Sequence, residues 1–258
     1  MPKVFLSAGN GGTDPGAVAN GLKEKDINLQ TLLACKSELE RHGVTVVCSR
    51  TKDENDRLAE EIKEANASKA DVAVSFHANA GGGDGFEVYY YSTNANDKKL
   101  AQLCEKYVNA LGQNSRKPAL KSGNHLGWCK NTKMTSCLVE SFFLDNAKDK
   151  TIGDTVAEQK SFGVAYAKAI LEYLGIKYKA PKTTNTTVKK ADTSFKVKIT
   201  ATRLRIRKGA GTDTAVVDFI APGVYTITET KIGKGSSKGW GKLKSGVGWI
   251  SLDYATRV

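Results

Sequence analysis

The chain has 258 residues, 40% of them apolar, and a mean hydropathy of −0.37; that length suits one large domain or two unequal ones, and two are expected. No uninterrupted apolar run approaches the roughly 18 to 20 residues that cross a bilayer, which excludes a membrane-spanning protein. The net charge of +12 is unevenly placed: residues 1–176 hold 22 basic and 22 acidic side chains, residues 177–258 hold 17 and 5, so a neutral body carries a basic tail suited to a polyanionic partner.

The first residues, Met1 to Ser7, run straight into a strand-like stretch with no basic patch and apolar core of a secretory signal. Short apolar runs then alternate with amphipathic stretches. A strand over Val4 to Ser7 is followed by a helix from about Lys25 to His42, a strand over Val44 to Ser49, a helix across Asp56 to Ala67, and strands over Val72 to His77 and Glu87 to Tyr91. A helix from about Asp97 to Leu111, a strand at Cys137 to Glu140 and a helix from about Thr155 to Leu174 complete the series. This alternation predicts an α/β domain over 1–177, with a mostly parallel sheet and helices on both faces. Residues 178–193 have Pro, Thr, Asn and Lys but little to bury, which is linker composition. Residues 194–258 change to short Gly-punctuated strands at Lys196 to Thr200, Leu204 to Arg207, Tyr225 to Thr230, Gly239 to Leu243 and Gly248 to Ile250, which predicts a small all-β barrel. The five cysteines (Cys35, Cys48, Cys104, Cys129, Cys137) are odd in number, have no C-x-x-C spacing and read as reduced core thiols.

Four pieces of the first domain put polar groups at the ends of apolar strands, where the active groups of such sheets gather. The Gly-rich loop from Ser7 to Gly16 matches neither phosphate-binding glycine pattern, which argues against a nucleotide site. Glu24 enters the first long helix, where a carboxylate also suits the helix dipole. His77 closes the strand Val74-Ser75-Phe76, although a lone histidine is more often structural. Glu140 closes another buried strand, where a carboxylate must be hydrogen-bonded, metal-linked or protonated. Together Glu24, His77 and Glu140 can supply two ligands and a general base to a hydrolytic metal site.

With Asp14-Pro15-Gly16-Ala17, Leu22 to Leu29, Ser75 to Ala80 and Leu138 to Phe143 in this order, residues 1 to 176 resemble the zinc-dependent N-acetylmuramoyl-L-alanine amidase catalytic domain of bacterial autolysins and phage endolysins. The resemblance implies Zn2+ bound by Glu24 and His77, Glu140 as the catalytic carboxylate, and hydrolysis of the amide joining N-acetylmuramic acid to the L-alanine of the stem peptide. Asn10 stands where the family has a histidine ligand, and an amide offers zinc only a weak carbonyl oxygen. Three readings of Asn10 stay open: an inactivating substitution, an active enzyme with a rearranged ligand set, and a degenerate homologue that binds the cell wall without cutting it. Asn79 and His125 are candidate substrate-binding residues, each with a structural alternative; His42, at a helix end, is given no catalytic role.

The tail resembles a bacterial SH3-like cell-wall-binding domain through Thr202 to Thr212, Gly223-Val224-Tyr225, Gly239 to Leu243 and Gly246 to Ile250. That resemblance implies peptidoglycan and anionic wall polymers as partners, with Trp240 and Trp249 either contacting the wall or filling the core. Nucleic acid is not expected as a partner, because it explains nothing about Glu24, His77 and Glu140, and neither is a membrane. The expectation is a monomer made in the cytoplasm without a signal peptide and acting on a Gram-positive wall after release.

Overall fold

A computed structural model describes residues 1–180 and 194–258, and the chain divides into two compact units, Met1–Ala180 and Pro181–Val258. The expected linker, 178–193, falls almost wholly outside the described residues. No described helix is long and apolar enough to cross a membrane.

The first unit runs β1 (Lys3–Ala8), β2 (Val18–Ala19), β3 (Leu22–Lys23), α1 (Glu24–Arg41), β4 (Thr45–Cys48), α2 (Leu58–Ser68), β5 (Val72–Asn79), β6 (Phe86–Tyr90), α3 (Ala95–Asn109), β7 (Ser115–Ser122), α4 (Gly127–Asn131), β8 (Thr135–Phe143), α5 (Ala147–Gly153) and α6 (Val156–Tyr173). Six strands form one sheet in the order β4-β1-β5-β8-β6-β7; every pairing is parallel except that of β6 with β8, while β2 and β3 form a separate small hairpin.

Strand alternation sends residues to two cores. Val4, Leu6, Val72, Val74 and Phe76 pack with α1, α3 and α6 on one face, while Phe5, Ala73 and Leu138 pack with Ala65 of α2 and Trp128 of α4 on the other. Helices on both faces of the sheet therefore follow from strands that are apolar at consecutive positions, such as Val4-Phe5-Leu6, whose alternate side chains enter opposite cores. Helix α6 starts where a capping box predicts: the Glu158 amide donates to Thr155 Oγ1, and Glu158 Oε2 accepts from the Thr155 amide. All five cysteines are free, and all but Cys48 are buried.

The second unit is all-β, with strands β9 (Phe195–Ile199), β10 (Leu204–Arg207), β11 (Val216–Ile220), β12 (Gly223–Lys231), β13 (Trp240–Leu243), β14 (Trp249–Ser251) and β15 (Ala255–Arg257). They pair antiparallel in the order β11-β10-β14-β13-β12-β9-β15, around Val197, Ile199, Leu204, Ile206, Ile227, Leu243 and Ile250. Trp240 and Trp249, candidates for wall contact, are only 3% and 6% exposed. Trp240 Nε1 donates to the carbonyls of Gly233 and Lys234, which locks its ring in place. Both tryptophans thus serve mainly as framework, because their apolar area is already buried against the unit itself.

Candidate functional site

Four segments meet at the C-terminal ends of β1, β5 and β8. The loop after β1 is closed by paired backbone hydrogen bonds between Gly11 and Asp14 at 2.9 and 3.0 Å. Buried Arg50 pins the loop from below, donating through Nε to the Ala8 carbonyl (2.9 Å) and through Nη2 to that of Lys25 (2.8 Å). Gly9 is required where it stands, since a Cβ there would lie 2.1 Å from the His77 ring.

Glu24, the first residue of α1, is almost wholly buried. Its Oε2 accepts from the Ala17 amide at 2.9 Å and its Oε1 lies 2.9 Å from His77 Nδ1. Burial pushes the Glu24 carboxyl upward, but the His77 hydrogen bond and charge, with the Ala17 and Ala78 amides, outweigh it and hold the group below its ordinary value. Burial likewise pushes His77 down, and the bond to Glu24 with the charges of Glu140 and Glu24 reverses this, favouring imidazolium.

Asn10 closes the cluster. Its Nδ2 donates to Asp14 Oδ2 at 3.2 Å, and Asp14 is itself held by the Gly16 amide at 2.9 Å. The amide oxygen is therefore the atom turned inward, and Asn10 Oδ1 is buried without a hydrogen-bond partner. A Cβ on Gly16 would lie 2.5 Å from Glu24 Oε2 and 2.7 Å from Asn10 Oδ1, so these two oxygens open onto one small space that a glycine at φ 62° leaves clear.

Glu140 lies next to this group, in register with His77 of β5 on one side and Glu87 of β6 on the other. Its Oε2 is buried and unpartnered. Burial, reinforced by the charges of Glu24 and Glu87 against those of His77 and Lys121, pushes its carboxyl up to about 8.

Among the described residues no group of three or more His, Cys, Asp and Glu is placed to hold a metal ion. The donors that converge are one carboxylate (Glu24), one imidazole (His77) and one amide oxygen (Asn10). An oxygen left bare in a buried space beside a carboxylate that in turn holds an imidazole suits a divalent cation, although with one strong donor fewer than three charged or imidazole ligands would give.

Among the described residues the other candidates make no hydrogen bond to these donors. Asn79 Nδ2 donates to Glu87 Oε2 at 3.1 Å, and its Oδ1 accepts from the Ala80 amide, so both ends of its amide are engaged. His125 is exposed and packs edge-on to Tyr89, 6.2 Å between ring centroids. His42 caps α1, its Nδ1 2.7 Å from the Glu38 carbonyl.

Two features were not singled out from the sequence. Fully buried Glu87 pairs with Arg116 (2.8 Å) and Lys121, and also takes a hydrogen bond from Tyr89. Glu61, within charge reach of His77, is pushed up to about 7 by burial and by the charge of Asp56. Glu87 had a readable signal, a carboxylate at an alternate position between Phe86 and Val88 in a buried strand; Glu61 had none, because a first-turn helix glutamate is ordinary.

Residues 4–172 match the family model described as N-acetylmuramoyl-L-alanine amidase. The chain is 35% identical over 183 residues to an endolysin of Bacillus phage SPP1, covering 69% of this chain and 68% of that protein. It is 32% identical over 210 residues to a sporulation-specific N-acetylmuramoyl-L-alanine amidase of Bacillus subtilis, covering 79% of each. The solved catalytic domain of CwlV, an N-acetylmuramoyl-L-alanine amidase from Bacillus (Paenibacillus) polymyxa, superposes with a TM-score of 0.63 at 33% identity, over 69% of this chain and all of that one. The sheet, its flanking helices and a match spanning nearly all of the first unit agree: the chain belongs to the N-acetylmuramoyl-L-alanine amidase family.

Proposed function

We propose that the chain hydrolyses the amide between the lactyl group of N-acetylmuramic acid and the L-alanine of the stem peptide, with Zn2+ held by Glu24, His77 and the carbonyl oxygen of Asn10. A zinc ion there supplies a Lewis acid that polarises the scissile carbonyl and lowers the pKa of water. Beside a dication the Glu140 carboxyl is drawn back toward its ionised form, in which it acts as the general base, taking a proton from the attacking water at its bare Oε2 and returning it to the leaving amine. The carrying observation is that this unpartnered carboxylate oxygen stands one strand away from the Glu24–His77 pair. Buried donors from the loop, α1, β5 and β8 hold the site rigid before substrate arrives. All of these donors come from one unit, so a single copy of the chain suffices.

The second unit, in this reading, is an SH3-like module that holds the enzyme on an anionic Gram-positive wall and raises the substrate concentration seen by the first unit. The chain is made in the cytoplasm and acts on the wall after release. A second reading, a wall-binding homologue that does not cut, is favoured by Asn10, whose amide oxygen binds zinc more weakly than the imidazole expected there.

Release of stem peptides from purified Gram-positive walls with added zinc tests both. Turnover by the unaltered chain that rises at least tenfold in Asn10→His and disappears in Glu140→Ala supports the hydrolytic site. Activity in Asn10→His alone supports the non-cutting homologue, and normal turnover in Glu140→Ala removes the assignment of the base.

A further inference from the structure

The second unit contains a cavity of about 540 Å³ whose lining includes Arg203, Arg205, Arg207, Phe219, Trp240 and Tyr254. Its volume falls within the range of small-ligand sites. On β10 Leu204 and Ile206 turn into the core, so Arg205 and Arg207 share the opposite face, with Arg203 in phase just before the strand. Phe219 joins that face because β11 pairs it with Arg205. Two-residue spacing on an extended strand sets successive arginines roughly 7 Å apart.

These cations are held but not neutralised. The Arg203 guanidinium lies 4.0 Å from the centroid of the Phe219 ring, and Arg207 Nη1 donates to the carbonyls of Thr212 (2.9 Å) and Thr214 (2.6 Å), which fixes the fork. Among the described residues no carboxylate pairs with any of the three; the ion pairs of this unit join Glu229 to Lys231 and Lys242. Residues 194–258 hold twelve basic and four acidic side chains, so the uncompensated charge of the ladder adds to a positive field.

We propose that this arginine ladder is a binding site for a phosphodiester-linked anionic polymer of the cell wall, successive guanidinium groups taking successive phosphates. The proposal deepens the wall-anchoring reading of the second unit and rests on it. A single carboxylate would use one arginine and leave two unpaired, whereas a repeating polyanion uses all three, and planar forks suit phosphate oxygens. Single-stranded nucleic acid would need open aromatic faces for its bases. Here one face of Phe219 is covered by Arg203 and Trp240 is only 3% exposed, leaving Tyr254 alone.

The test is co-sedimentation of the full chain with Gram-positive walls carrying their anionic polymer and with the same walls stripped of it. Arg203→Gln combined with Arg205→Gln should weaken binding to intact walls at least tenfold. Lys196→Gln combined with Lys198→Gln removes the same charge from exposed positions of β9 and should change binding less than twofold. Stripping the walls should cost the unaltered chain about as much as the arginine pair, and melting curves of all variants should coincide. Equal losses from the two pairs would mean diffuse charge attraction and overturn the site. Undiminished binding to stripped walls, or tighter binding to DNA at matched salt, would overturn the ligand. No binding by the unaltered chain would overturn the anchoring reading together with the site, whereas an intact wall bound normally by the arginine variant overturns the site alone. Stem-peptide release reports on the first unit separately.

Discussion

Asn10 sits at φ 64°, a left-handed conformation that asparagine and histidine enter more readily than most side chains, so the loop accepts either residue without new backbone strain. What differs is the atom offered to the site, and Asp14 decides which end of the amide that is. Glu140 makes the complementary point about charge. Its carboxyl is pushed to about 8 by burial and by the nearby Glu24 and Glu87, so the metal-free folded protein keeps a proton there that the unfolded chain releases near its ordinary value of 4.5. Between those values the native state binds more protons than the unfolded state, and this group's contribution is therefore complete below about 4.5 and lost as pH rises through about 8. In the presence of a chelator, urea unfolding at several pH values should show a decline of at most about 1.4 kcal/mol per pH unit from this group. Glu140→Gln should remove that part of the slope while leaving other titrations in place, and identical slopes would mean that Glu140 is ionised in the folded protein.

The helices α1 and α6 meet over Gly163, where a Cβ would lie 2.3 Å from the Thr31 carbonyl and 2.7 Å from Ala34 Cβ. Replacing Gly163 by alanine gains about 1 kcal/mol of helix propensity, but forcing a methyl against a backbone oxygen and a packed neighbour costs roughly 1 to 3 kcal/mol. The clash should win, giving a lower denaturation midpoint. Because α1 carries Glu24, and also Asn28, whose Nδ2 donates to the Gly9 carbonyl of the β1 loop at 2.9 Å, affinity for the proposed zinc measured by equilibrium dialysis should fall with it; an unchanged midpoint would show that the helices can separate without cost. Elements with strong apolar periodicity were legible in the sequence: β10 matches its expected limits, and α6 differs from expectation by one residue at each end. Strand β7 was not legible, since Ser115-Arg116-Lys117-Pro118 offers neither alternation nor amide donors throughout, and such a strand is tolerated only because it lies at the sheet edge. His77 and Glu140 were visible because each follows an apolar run, Val72 to Phe76 and Cys137 to Val139, and Glu24 because it enters the first long helix. The Glu87 network and the turning of Asn10 by Asp14 depend on which strands become neighbours, and sheet order is not written in local pattern.

At the scale of the whole molecule, the proposed wall-anchoring role of the basic second unit implies a salt-sensitive division of labour with the amidase-family unit. Attraction between a protein surface and a polyanion weakens as the screening length falls from about 10 Å at 0.1 M salt to about 3 Å at 1 M, whereas hydrolysis inside a buried site depends much less on ionic strength. A chain ending at residue 180 keeps the entire first unit, including all of its sheet and helices. On intact walls at 0.1 M salt this shortened chain should release stem peptides at least several-fold more slowly than the full chain, because it loses the local concentration that anchoring supplies. At 1 M salt the two rates should converge, and on small soluble muropeptides they should agree at both salt concentrations. A difference that persists on soluble substrate would mean that the second unit acts on the catalytic site itself. Equal rates on walls at low salt would mean that its fifteen basic side chains contribute nothing to capture.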